Sequence, residues 1–210
     1  MVFIHASFYF CWQLAQHAQD EFARTFKAEM GKDTIGIRWS DSPFMVDFAM
    51  RSFAECDGLD IIVPQPTYVQ RLPGLAQGVR LPCESLHRHG KMMWYEFDLR
   101  TWAALDGWAE SVVATKGLGQ SDDLGMWRTV FRKHAGIMTA QRMGWWFYDM
   151  AGGWFYPQPI VDDVKEVVDF RRAFLSVRPS AWHPDAAIVI DELALSLYNR
   201  EGQPKVKDAS

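Results

Sequence analysis

The stretch KMMWYEFDLRTW, residues 91–102, closes an apolar run with charges on alternate positions: Glu96, Asp98 and Arg100. A carboxylate at the tip of a buried strand is fixed by rigid backbone and faces a cleft, not the core. Such a group can act as a nucleophile or move a proton. As a nucleophile it must stay ionised, which asks for nearby donors or a cation. Arg100 can grip Glu96 or Asp98 with two parallel N–H groups. The Tyr68 hydroxyl, upstream in PTYVQR, can donate to Glu96. The competing role for Glu96 is structural, as a strand-end residue satisfied by Arg100 or by a loop amide. Asp98 and Arg100 read as an ion pair that orders the loop and takes no part in chemistry.

A second constellation is GWWFYDMAGGWFYPQP, residues 144–159, which crowds Trp145, Trp146, Trp154 and Tyr156 into one short segment. An aromatic ring offers a flat apolar face and, in Trp and Tyr, a polar edge that hydrogen-bonds. Trp145 and Phe147 suit internal packing. Trp154 follows Gly152-Gly153, so it lies on a turn and is the candidate for stacking on a ligand. Asp149 either binds ligand hydroxyls or accepts the amide hydrogens of its own turn, and the sequence leaves both open.

Other chemistry is weakly signalled. In HRHG, residues 87–90, His87 and His89 stand before a strand without a third ligand at recognisable spacing. Loop or supporting-donor roles fit them better than a metal hydrolase. No metal and no cofactor is expected. Cys11, Cys56 and Cys83 show no CxxC spacing and form no disulfide framework, which points to a reducing, cytoplasmic setting. Cys83 lies near Glu84 and His87 but has no nucleophilic signature around it. KGLGQSDDLG, residues 116–125, gives GxG alone, with no phosphate-loop context, and reads as a mobile loop over a cleft.

Net charge of −4, with both signs mixed along the chain, argues against a nucleic-acid platform. The apolar N-terminal MVFIHASFYFCW lacks a basic region and is too short to span a bilayer. No other run reaches that length, so no membrane partner is expected.

The elements that must position these residues follow a recurring pattern. A short apolar run ends in polar or special residues, and a longer amphipathic segment follows. Strands are predicted near 34–39, 60–64, 91–96 and 144–149. Helices are predicted over Leu14–Glu29, Val46–Cys56, Met126–Met143 and Val161–Val177. Alternating strands and helices make βαβ units and a parallel sheet, with functional residues at the C-terminal strand ends. After a Pro-containing linker, AAIVIDE (186–192) reads as a further strand that starts a new domain.

Three of these segments, DIIVPQPTYVQRLPG, HGKMMWYEFDLRT and GWWFYDMAGGWFYPQP, occur in an order and spacing that resembles the second half of the catalytic barrel of clan A glycoside hydrolases. The chain looks close to the family forty-two β-galactosidases and their relatives, and the likeness covers roughly residues 14–195. It implies an α/β fold: about the last four βα units of a (β/α)8 TIM barrel over residues 1–180. Residues 181–210 would hold a linker and the start of a flavodoxin-like domain. The activity implied is retaining hydrolysis of O-glycosidic bonds in a carbohydrate substrate. Glu96 takes the position of the nucleophile. Asp149 and Trp154 match substrate-subsite positions, with Tyr156 beside them, and Tyr68 and Arg71 match the loop after the sixth barrel strand.

That chemistry needs two carboxyl groups about 5–5.5 Å apart. The general acid of the clan usually follows an Asn at the end of the fourth strand, and no Asn-Glu pair occurs in this chain. The 210 residues are therefore expected to be poorly active alone. They are expected either to pair with a second copy or to associate with an N-terminal barrel half. A non-catalytic carbohydrate-binding or scaffold protein built on the same cleft is the alternative.

Overall fold

An apolar run that lacks polar alternation buries both faces of a strand, and of the four strands in the computed structural model IIVP, residues 61–64, does so at every position. The structure describes residues 2–31, 35–40, 50–64, 71–75, 78–104, 120–149, 152–177 and 185–189. The order is α1 (Val2–Met30), β1 (Ile37–Ser40), α2 (Met50–Glu55), β2 (Ile61–Pro64), α3 (Cys83–Arg88), β3 (Met92–Phe97), α4 (Leu124–Ala140), β4 (Gly144–Phe147) and α5 (Gln158–Ser176). The fold is mixed α/β with parallel strands, each paired to its successor in the order β1-β2-β3-β4. The chain divides into two compact units. One comprises Met1–Gln65, Arg80–Met93 and His183–Ser210, the other Pro66–Val79 and Trp94–Trp182.

In the first unit β1 pairs with β2 from Ile37↔Ile61 to Ser40↔Pro64, and β2 pairs with the start of β3 at Ile61↔Met92 and Ile62↔Met93. Ile61, Ile62, Val63, Phe53, Leu86 and Met93 fill the core around them. Two glycines set the spacing. A Cβ on Gly36 would fall 2.0 Å from the Gly58 carbonyl oxygen, and one on Gly58 would fall 2.4 Å from the Ala23 Cβ of α1. Asp60 then fastens the strand entry. Its carboxylate accepts from the Gly36 amide at 2.7 Å and pairs with Lys27 of α1 at 2.6 Å. Burial works to raise the Asp60 pKa, but the Lys27 and Gly36 hydrogen bonds and the charges of Lys27 and Lys91 outweigh it and leave it lowered. The Lys91 ammonium, itself buried, donates to the Cys56 and Leu59 carbonyls at 2.7 and 2.8 Å, closing the end of α2.

In the second unit β3 and β4 pair from Trp94↔Gly144 to Phe97↔Phe147. Helix α4 starts where the Asp123 side chain accepts from the Met126 amide at 2.8 Å. It buries Trp127, Val130, Phe131, His134, Ala135 and Met138, the 3.6-period face visible in the sequence. Trp127 and Phe131 stack with ring centroids 4.9 Å apart, and Phe97, Phe147 and Phe155 pack around them. Helix α5 is tied to α4 by Arg128, whose Nε donates to both carboxylate oxygens of the buried Asp163 at 3.0 Å.

Several sequence expectations shift. His87 lies inside α3, a short helix absent from the sequence reading. The helix expected over Leu14–Glu29 extends back to Val2. The one expected over Val46–Cys56 is described only from Met50. Of AAIVIDE, residues 186–189 carry no strand pairing, and Ile188 and Val189 are 92% and 89% exposed; the remainder lies outside the described residues. Tyr68, the linker around 178–184 and residues 116–119 of KGLGQSDDLG also lie outside them. No described helix is long and apolar enough to cross a membrane.

Candidate active site

The C-terminal end of β3 gathers the charged residues singled out by the sequence, all within the second unit. Glu96 lies in the ladder opposite Trp146 and is 4% exposed. Asp98, Arg100 and Thr101 follow directly and are buried as well. Buried charge demands compensation. For Asp98 it comes from Arg71, whose Nη2 lies 2.7 Å from Asp98 Oδ1 with both side chains out of water. Asp98 thus has an ion-pair partner 27 positions upstream in sequence, which the sequence reading did not pair with it.

Arg100 sits over Trp154, its guanidinium carbon 5.1 Å from the ring centroid, a cation–π contact. This corrects the stacking role expected for Trp154. Its side chain is 1% exposed, with an arginine on its face, and offers no open platform. The turn that carries it is built as the sequence suggested: Gly152 and Gly153 take φ of 79° and 85°, values that glycine adopts without a Cβ penalty. Asp149 adopts the capping alternative, its Oδ2 accepting from the Trp154 amide at 3.0 Å. The Thr101 hydroxyl donates to the Trp154 carbonyl, and Gln120 and Ser121 fasten the main chain of Thr101 and Arg100. Tyr156, at the far side of the turn, is 86% exposed. Trp145 lies under the Arg171 guanidinium at 4.9 Å, and Trp146 meets Tyr148 edge-on at 5.5 Å.

Two residues with no role in the sequence reading stand behind this strand end. His134 Nδ1 is hydrogen-bonded to the Tyr95 hydroxyl at 2.9 Å, and its ring lies 5.8 Å from Phe97. Burial pushes its pKa down to about 3, helped by the charges of Lys133 and Arg71, so the ring is neutral at pH 7. Lys133 donates to the carbonyls of Arg71, Leu72 and Leu75, and burial lowers its pKa. The available signal for His134 was its place on the apolar face of α4, at helical spacing from Trp127, Phe131 and Met138.

Elsewhere the candidates take structural roles. The His89 ring nitrogen bonds the Ser85 carbonyl at 2.7 Å, at the end of α3. Burial, then the charge of Glu84, pushes the Cys83 thiol up to about 12, so it is no nucleophile at neutral pH. Among the described residues no group of three or more His, Cys, Asp or Glu side chains could hold a metal ion. Comparison with protein-family models, curated proteins and solved structures finds no match in any of the three.

Proposed function

We propose that the chain is a carbohydrate-active protein of the retaining glycoside hydrolase type, with Glu96 as the nucleophile on the half-barrel segment 1–180. The observation that carries this reading is the position of Glu96: a buried carboxylate at the next-to-last residue of a parallel strand, followed by charged residues that continue the same strand end. Parallel α/β architectures bind ligands at that end of their strands. In this role Glu96 attacks the anomeric carbon, the C–O bond to the leaving group breaks, and the sugar is carried as an ester until water displaces it. Asp98 and Asp149 are unsuited to the second carboxyl role, since one is paired with Arg71 and the other accepts the Trp154 amide.

The test therefore uses a sugar that needs no general acid. A 2-deoxy-2-fluoroglycosyl fluoride, whose leaving group departs unassisted, is expected to add one fluorosugar mass to the protein, located on the Glu96 peptide and absent in Glu96→Gln. A folded wild-type protein that acquires no label across gluco- and galacto-configured probes overturns the reading.

The burial of Glu96 together with the exposure of Tyr156 favours one rival, a binding protein that holds sugar without turning it over. Saturable sugar binding that persists in Glu96→Gln, with no label in wild type, selects it. Either reading takes carbohydrate as the ligand and a second copy or another barrel half as the protein partner, and the scattered cysteines favour a cytoplasmic setting for both.

A further inference from the structure

Residues 72–75 have little packing of their own. Leu72 and Leu75 are 39% and 44% exposed, Gly74 has a φ of 79°, and the turn is closed by the Leu75 amide donating to the Leu72 carbonyl at 3.3 Å. Yet Arg71, at the start of this surface segment, sends a fully buried guanidinium to Asp98. A buried arginine on a loosely packed backbone needs an anchor, because an uncompensated buried charge is costly.

The anchor is on α4. Lys133 Nζ lies 3.1, 3.2 and 3.4 Å from the carbonyl oxygens of Arg71, Leu72 and Leu75. An ammonium carries three N–H donors, and here three carbonyls converge on it. The adjacent residue, His134, holds Tyr95 and packs on Phe97. Tyr95 and Phe97 are the two neighbours of Glu96 in β3. One turn of one helix thus reaches both the strand end and the loop that pairs with it. His134 fixes the residues flanking Glu96, and Lys133 fixes the loop whose arginine meets Asp98, two residues on.

We propose that Lys133 is a positioning residue for the Glu96 strand end: by gathering the carbonyls of residues 71, 72 and 75 it sets the Arg71 guanidinium against Asp98. This rests on reading Glu96 as the reactive carboxylate only for its consequence in catalysis; the mechanical part stands alone. The planar guanidinium of an arginine cannot fan three N–H groups from one nitrogen toward three carbonyls as an ammonium does, so Lys133→Arg restores the link only in part.

The experiment is a carboxyl carbon-13 titration of Asp98 in wild type, Lys133→Met and Lys133→Arg, with hydrogen exchange of the amides in 71–75. In Lys133→Met the Asp98 midpoint is expected to rise by about one pH unit, a tenfold change in proton affinity, and loop exchange to quicken about tenfold. Lys133→Arg is expected to fall between. A folded Lys133→Met with Asp98 titration and loop exchange unchanged overturns the proposal. If Lys133→Met does not fold, nitrogen-15 spectra of the wild-type lysine ammonium groups decide. Slowly exchanging Nζ protons on Lys133 support the anchor, and exchange as fast as surface lysines overturns it. Fluorosugar labelling of the same proteins separates the two readings. An unlabelled wild type removes the hydrolase and leaves the Asp98 titration to decide on Lys133, whereas labelling that slows in Lys133→Met ties both together.

Discussion

Arg71 and Asp98 face each other without water, and that makes their pairing costly to break from one side. Removing one member strands the other charge, which costs about 3–5 kcal/mol, whereas replacing both with apolar groups of similar volume is often neutral. Asp98→Leu and Arg71→Met are each expected to lose that amount in urea unfolding, and the two combined to recover most of it. Additive losses in the double variant would mean the two do not work as a pair. His134 makes a second residue-scale prediction. In the unfolded chain its pKa is near the ordinary 6.5; in the folded protein burial holds it at about 3. Between those values the unfolded chain takes up a proton that the folded one refuses. Stability is therefore full above pH 6.5 and declines as pH falls toward 3, by up to about 1.4 kcal/mol per unit. His134→Gln can still bond the Tyr95 hydroxyl but does not titrate. Its unfolding midpoint is expected to stay flat from pH 6.5 to 4.5 while that of wild type drops. Parallel curves would show that another group sets the acid limit.

At the scale of elements, glycines separate positions where the chain is tight from those where it is merely permitted. Gly36 enters β1 with its missing Cβ 2.0 Å from the Gly58 carbonyl oxygen, a backbone atom that no rotamer can move. Gly136, on the exposed side of α4, has nothing within 4 Å of the same position. Gly36→Ala is expected to cost about 3 kcal/mol or more, and Gly136→Ala to gain about 0.5–1 kcal/mol through helix propensity. Thermal melts of both variants check the contrast, and a neutral Gly36→Ala would mean that β1 does not pack against the α2–β2 turn as described. The same elements show what the sequence could and could not reveal. IIVP, MMWYEF and GWWF were legible as strands because each is a short, predominantly apolar run, although only IIVP is buried at every position, and α4 and α5 because their apolar residues recur at helical spacing. Helix α3 was not, since its six residues, starting after Pro82, are too few to establish a period. Glu96 was legible because an acid ending an apolar run is a local pattern. The Lys133 cradle was not, because its carbonyl partners lie 58 to 62 residues away, and no local pattern reports a contact at that range. Trp154 failed for the same reason. A Gly-Gly turn predicts a projecting ring, and only the fold puts Arg100 on its face.

For the molecule as a whole, the question is what covers the apolar surface that each unit leaves open. In the first, α1 exposes Phe22 by 72% and Met30 by 64%, with Phe22 stacked on Phe26 at 6.1 Å. In the second, α5 exposes Phe170 by 61% and Val177 by 66%, with Phe170 stacked on Phe174 at 6.3 Å. Among the described residues β1 and β4 each have a strand partner on one side only. Apolar helix faces and open ladder edges together favour association, since single chains rarely leave contiguous apolar surface and unpaired edges in water. The chain is expected to scatter light with a mass above the 24.2 kDa of one copy. Phe170→Glu combined with Phe174→Lys replaces the stack with an i,i+4 ion pair that keeps the helix. It is expected to lower the mass toward one copy with an unchanged circular dichroism spectrum. If that pair has no effect while Phe22→Glu with Phe26→Lys does, the contact runs through α1 alone. A wild-type protein that scatters as one folded chain at about 100 μM, a concentration at which interfaces of even modest affinity are occupied, would show that these faces stay in water and that no second copy covers them.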